Sequence, residues 1–152
     1  MIRRLCALLF LAALLCGCGK REEVSVGVVN PISVSSLEEL TEQTGLPTER
    51  FAELQELSVK RYALDPVMFE LEFLYGERTC TLRISPGEGR GDISGMYFSW
   101  TETLEEDGYR ISVDREGHGI CLWEGGDATW SLAMKEGADP GIFRELYALL
   151  TE

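Results

Sequence analysis

Between Val67 and Ile84 the chain alternates with a period of two, and this constrains the fold more than any other feature. Val67, Phe69, Leu71, Phe73 and Tyr75 fall on one face of an extended segment, with Met68, Glu70, Glu72 and Leu74 on the other. Gly76-Glu77 follows, a Gly-X pair suited to the type II′ turn of a two-residue hairpin. Folding the chain back there sets Phe73 opposite Cys80, Leu71 opposite Leu82 and Phe69 opposite Ile84. The other face then opposes Glu70 to Arg83 and Glu72 to Thr81. A register slip of one residue would send every apolar group to the wrong side, so the turn and the alternation predict the same hairpin independently.

The flanking segments extend this into an α+β pattern. Ser35-Ser36-Leu37-Glu38-Glu39-Leu40 contains two overlapping capping boxes, Ser35 with Glu38 and Ser36 with Glu39, and Gly45 suits a helix C-terminus. A helix over about 37–44 is expected. Phe51, Leu54 and Leu57 at helical spacing predict a further turn or two of helix within 48–57. Val59 to Leu64, Met96 to Leu104, Tyr109 to Asp114, Ile120 to Trp123 and Ala128 to Met134 read as strands separated by turn residues, and short connections make neighbours antiparallel. Asp139-Pro140 opens a last helix whose Ile142, Phe143, Leu146, Leu149 and Leu150 form an apolar stripe. The expected fold is a mostly antiparallel sheet of six to seven strands, with the N-terminal and C-terminal helices packed on one face.

Ahead of this domain lies a different kind of segment. Arg3 and Arg4 precede the apolar run Leu5–Leu15, which is far short of the ~20 residues that span a bilayer but suits the core of a signal peptide. Leu15-Cys16-Gly17-Cys18 then resembles a bacterial lipobox, with a small residue before Cys18. The reading is a signal peptide over 1–17, lipidation at Cys18, a tether over 18–29 and a single domain over 30–152. The full chain carries a formal charge of −12, and losing Arg3 and Arg4 while keeping all 26 acids deepens it by two, to −14. Such a surface repels nucleic acid and anionic headgroups. Membrane attachment at the outer face of the cell must therefore come from acyl chains.

Few residues carry chemistry. With Cys18 lipidated, Cys80 and Cys121 remain, either as an exported disulfide or as two buried thiols. One His and two separated cysteines supply no zinc ligand set, so no metal or cofactor is expected. The Gly-rich stretch Pro86–Gly95 lacks the Lys-Ser/Thr and following helix of a phosphate loop, and reads as a connection that uses Gly for positive φ. His118, between two glycines, is expected in an exposed turn. A Cys80 or Cys121 dyad with His118 would need an accessible thiolate, which an apolar site suppresses. Glu70 and Glu72 share a face as a carboxylate pair or, more simply, as the solvated side of the sheet. Trp123 and Trp130 read as core, whereas Tyr97 falls on the polar side of its segment and is the best candidate for a ligand surface.

Asn30-Pro31, Ser36-Leu37-Glu38-Glu39-Leu40, Gly91-Asp92-Ile93-Ser94-Gly95, Trp123 and the closing helix together resemble a family of small extracytoplasmic domains of unknown function in Gram-positive, often gut, bacteria, borne as lipoproteins or behind a transmembrane helix. The resemblance implies an exported, non-catalytic domain and carries no active site. The expectation is a lipid-anchored cell-surface protein that binds or senses an envelope protein or other ligand. The alternatives are a glycan- or peptide-binding lipoprotein with an aromatic cleft, or a hydrolase using carboxylates or the Cys/His pair.

Overall fold

A computed structural model describes residues 32–151, and the lipobox, the tether and Asn30-Pro31 lie outside the described residues. Strand β1 (Ile32–Val34) leads into helix α1 (Leu37–Thr44), a 3₁₀ turn (Thr48–Phe51) and then β2 (Gln55–Tyr62), β3 (Met68–Tyr75) and β4 (Arg78–Pro86). After a long connection come β5 (Glu102–Glu106), β6 (Tyr109–Val113), β7 (Gly119–Glu124), β8 (Ala128–Met134) and helix α2 (Pro140–Thr151). The fold is α+β, and its strands form one antiparallel sheet in the order β1-β2-β3-β4-β8-β7-β6-β5.

The hairpin has the expected register in full, including Phe73 opposite Cys80 and Glu70 opposite Arg83. Gly76 has a φ of +62° and Glu77 does not share it, as a type II′ turn requires. Helix α1 starts and stops where its caps place it. The Ser36 hydroxyl accepts from the Glu39 N–H at 3.3 Å, and Gly45 sits in the left-handed region. Neither capping box is reciprocal: Ser36 caps the Glu39 N–H, but the Glu39 carboxylate takes the Ser35 hydroxyl at 2.6 Å.

Three expectations are corrected. The sheet has eight strands among the described residues rather than six to seven, because β1 adds a short edge on β2. The helical turns expected over 48–57 shrink to the 3₁₀ turn, and β2 begins at Gln55. A register irregularity between Gln55 and Ser58, with Glu56 at a φ of +51°, joins the two. Too short a helix nucleates poorly, and pairing with β3 wins. The strand expected over Met96–Leu104 forms only from Glu102. Residues 87–101 instead leave the end of β4 and reach the far edge of the sheet, where Thr101 N–H donates to Val113 O at 2.9 Å.

That crossing gives the sheet two unlike faces. One carries Phe69, Leu71, Phe73, Leu82, Ile84 and Trp130, clustered with Leu40 of α1 and with Phe143, Leu146 and Leu150 of α2. At the start of α2, Asp139 Oδ1 accepts from the Gly141 N–H at 2.8 Å. The other face carries a smaller cluster, Met96 on Ile120, Leu122 and Ala133, with Trp100 against it. Met96 belongs to the crossing segment. The second face is therefore covered by irregular chain, and that is where the polar groups gather.

Candidate functional site

Cross-strand register lines up one row on the second face: Lys60, Glu70, Arg83, Ser131, Leu122, Arg110 and Glu105, one residue from each of seven neighbouring strands. Residues paired in this way project on the same side of a sheet. The row is polar at both ends, and the crossing segment lies over its middle.

At one end Glu70 is buried, with 7% of its surface exposed, which corrects the expectation of a solvated carboxylate. Arg83 Nε donates to it at 2.9 Å, the Tyr62 hydroxyl at 2.9 Å, and Lys60 Nζ stands at 3.4 Å. Burial alone would push the Glu70 carboxyl up, but the Arg83 and Tyr62 bonds and the two cations outweigh it and hold it below the usual glutamate value. A general acid needs the opposite shift. Glu72 is exposed, so the two glutamates do not form a carboxylate pair of shared environment.

Arg83 also fastens the crossing segment: its Nη1 donates to Ile93 O at 3.1 Å. Further along, Ser94 N–H donates to Asp92 Oδ1 at 2.8 Å and Met96 N–H to the Ser94 hydroxyl at 3.0 Å. Gly95, at a φ of +69°, lies against the Arg83 guanidinium, where any side chain would collide with it. Glycines at 87, 89 and 91 also take positive φ, in keeping with the reading of this stretch as a connection.

Immediately after Met96, Tyr97 stands 88% exposed and Phe98 41% exposed. Phe98 stacks on His118 with ring centres 4.1 Å apart and meets Trp100 edge-on at 5.8 Å. His118 is thus half-buried rather than exposed. Its Nδ1 lies 2.6 Å from Asp114 Oδ2, while Asp114 Oδ1 accepts the N–H groups of Glu116 and His118 at 2.8 and 3.0 Å. Burial would raise the Asp114 carboxyl, yet these partners hold it below its ordinary value. Donor atoms of Asp114, Glu116 and His118 lie within 4.8 Å of one another, so these are the residues that could hold a metal ion. Asp114 already spends both oxygens within the turn, which explains the arrangement without one.

Cys80 and Cys121 are free and fully buried. They sit on β4 and β7 with β8 between them, opposite Met134 and Leu132 respectively. Two strand spacings make about 9–10 Å, beyond the ~4.4–6.8 Å of Cα separation a disulfide spans. The disulfide expectation is corrected accordingly. Burial pushes the Cys80 thiol up to about 11 and the Cys121 thiol up to about 12. Trp123 and Trp130 stack at 5.4 Å within the core, as expected.

A cleft of about 400 Å³ opens at the other end of the row. Gly91 of the crossing segment forms one wall, Leu122 and Trp123 the apolar part, and Glu105, Arg110 and Glu124 the polar part. Of these only Gly91 and Trp123 were singled out from sequence, neither as part of a cleft, because alternation marks a face and not what covers it. Comparison with protein-family models, curated proteins and solved structures finds no match for this chain. Among the described residues no helix is long and apolar enough to cross a membrane.

Proposed function

We propose that this chain is a lipid-anchored domain at the outer face of the cell membrane, tethered through Cys18, that binds a glycan or peptide ligand and catalyses nothing. In this reading both helices cover one face of the sheet as structural support, and the crossing segment on the other face presents the ligand surface. The observation that carries it is Tyr97: a nearly fully exposed aromatic, beside Phe98, on a segment held down by Arg83, Met96 and Thr101. Exposed aromatics on a fastened backbone bind at low conformational cost. Binding is favoured over hydrolysis because both thiols are buried with raised pKa and Glu70 is held ionised, its oxygens taken by Arg83, Tyr62 and Lys60. The resemblance to extracytoplasmic domains of Gram-positive bacteria points the same way.

Two measurements test this. Mass spectrometry of the membrane fraction should find a mature N-terminus at Cys18 carrying acyl mass, and Cys18→Ala should release the protein. Titration of the full chain with cell-wall oligosaccharides and short peptides should perturb tyrosine fluorescence, with affinity falling at least tenfold in Tyr97→Ala. Unmodified protein in the medium overturns the anchor, and an unchanged affinity in Tyr97→Ala overturns the surface.

A further inference from the structure

The cleft beside Gly91 differs from the Tyr97 surface in chemistry and in place. Its volume of about 400 Å³ is that of a small-molecule site rather than of a polymer groove. Leu122, largely buried and on the same face as Arg110, gives it an apolar part, while the ring of Trp123 turns to the other face and stacks on Trp130. Around this stand charges of both signs. Arg110 faces Glu105 across β5 and β6 in register, with Glu124 two positions beyond Leu122 on the same face of β7.

How these charges are spent is informative. Glu106 also lines the cleft, but the Arg144 guanidinium engages it from α2. Glu124 accepts the Thr129 hydroxyl at 2.8 Å through one oxygen and keeps the other. Arg110 and Glu105, although opposite one another, make no ion pair with each other or with any of the described residues. Contrast the other end of the row, where Glu70 has three partners. One end is satisfied from within the chain and the other is not.

We propose that this cleft binds a small zwitterion of amino-acid or dipeptide size, its carboxylate on Arg110, its ammonium between Glu105 and Glu124, and its apolar side chain against Leu122. Planar guanidinium groups take carboxylates in a two-point fork, which fixes the orientation of the ligand. Two carboxylates beside a single cation complete the charge match. An anion alone would meet the acids, and an amine alone would leave the guanidinium unanswered. The inference rests on the binding reading above and adds to it a second ligand class at a separate site.

Isothermal titration of the full chain in detergent, with tryptophan fluorescence as a second readout, tests it using L-leucine, L-phenylalanine and glycyl-L-leucine as probes. At least one should bind saturably with one-to-one stoichiometry. Isoamylamine and 4-methylvalerate, each carrying one of leucine's two charges, should bind at least tenfold more weakly. Arg110→Met and Glu105→Gln should each weaken the zwitterion at least tenfold with an unchanged melting temperature, and Tyr97→Ala should leave it unchanged. No saturable binding by any probe overturns the proposal. So does equal binding of the amine alone, or indifference to Arg110→Met. If zwitterions fail while Tyr97-dependent binding of oligosaccharide or longer peptide persists, only this proposal falls. If zwitterions bind and Tyr97→Ala is silent toward every other ligand, only the Tyr97 surface does.

Discussion

Arg83 ties Glu70 to the crossing segment: one nitrogen donates to the buried carboxylate at 2.9 Å and another to the carbonyl of Ile93 at 3.1 Å. A single side chain therefore joins the hairpin to the irregular stretch that covers it. Removing one partner of a buried pair typically costs about 3–5 kcal/mol. Because Arg83 keeps some solvent contact, Arg83→Met should cost somewhat less than this, about 2–3 kcal/mol. It should also speed amide exchange over 91–96. Denaturant unfolding and hydrogen exchange check both parts, and a stable variant with unchanged exchange refutes the clamp.

Gly95 and Gly91 separate strain from collision. Both have positive φ, +69° and +68°, but only at Gly95 would a side chain meet the Arg83 guanidinium, whereas nothing lies within 4 Å of one at Gly91. Gly91→Ala should cost about 1 kcal/mol from backbone conformation alone. Gly95→Ala should cost clearly more. Equal losses in thermal unfolding would place the guanidinium elsewhere.

Acid should weaken the fold through Glu70. Its carboxyl is held below its ordinary value, so the native state binds fewer protons than the unfolded chain in that range. The resulting stability is fully present above the ordinary glutamate value and is lost as pH falls through the lower native one. Glu70→Gln should be less stable at neutral pH and should flatten this acid limb. Urea unfolding between pH 3 and 7 gives the slope, and an identical limb in the variant removes Glu70 as its source.

Cys80 and Cys121 should remain reduced and unreactive in the folded protein. With both thiols buried and pushed up to about 11 and about 12, the thiolate fraction at pH 8 is very small. Alkylation by iodoacetamide should be slow until denaturant is added and then complete at both positions. Mass spectrometry that finds them joined by a disulfide would contradict the intervening β8.

Leu146 and Glu145 are neighbours on α2 with opposite fates. Leu146 is fully buried in the main cluster, and its truncation to Ala should cost about 2–5 kcal/mol. Glu145 is exposed and accepts only the Tyr75 hydroxyl at 3.0 Å. Glu145→Ala should stay within about 1 kcal/mol. Melting temperatures order the two directly.

What could be read in advance were the features written locally. Ser36, Glu39 and Gly45 bound α1 because caps act within a turn, and the Phe73–Cys80 register follows from Gly76 and simple alternation. The strand expected at Met96 failed because Met96 and Trp100 lie on the sheet from above, with Phe98 stacked on His118, and this alternates just as a paired strand would. Burial of Glu70 was hidden because it depends on partners from other strands, Lys60, Tyr62 and Arg83. The partnership of His118 with Asp114 is local, four residues apart, but glycines on both sides of His118 pointed to exposure rather than to a ring covered by Phe98. The unpaired Arg110 could not be seen at all, since pairing with Glu105 is what register alone suggests.

The strand order carries a kinetic consequence. Six of the seven strand pairings join neighbours in sequence, and the β4–β8 pairing alone does not. At its nearer end Gly87 and Thr129, 42 positions apart, are joined by a hydrogen bond. Each meander can gain structure through short loops, while closing the seam between them bears the larger entropic cost and depends on a connection that must swing to the far edge. Substitutions that loosen β4–β8 contacts, such as Leu82 with Leu132 or Ile84 with Trp130, should therefore slow assembly when the seam forms in the rate-limiting step. An arrested chain would then expose two stacks of hairpins, each with an unpaired edge where its partner should be.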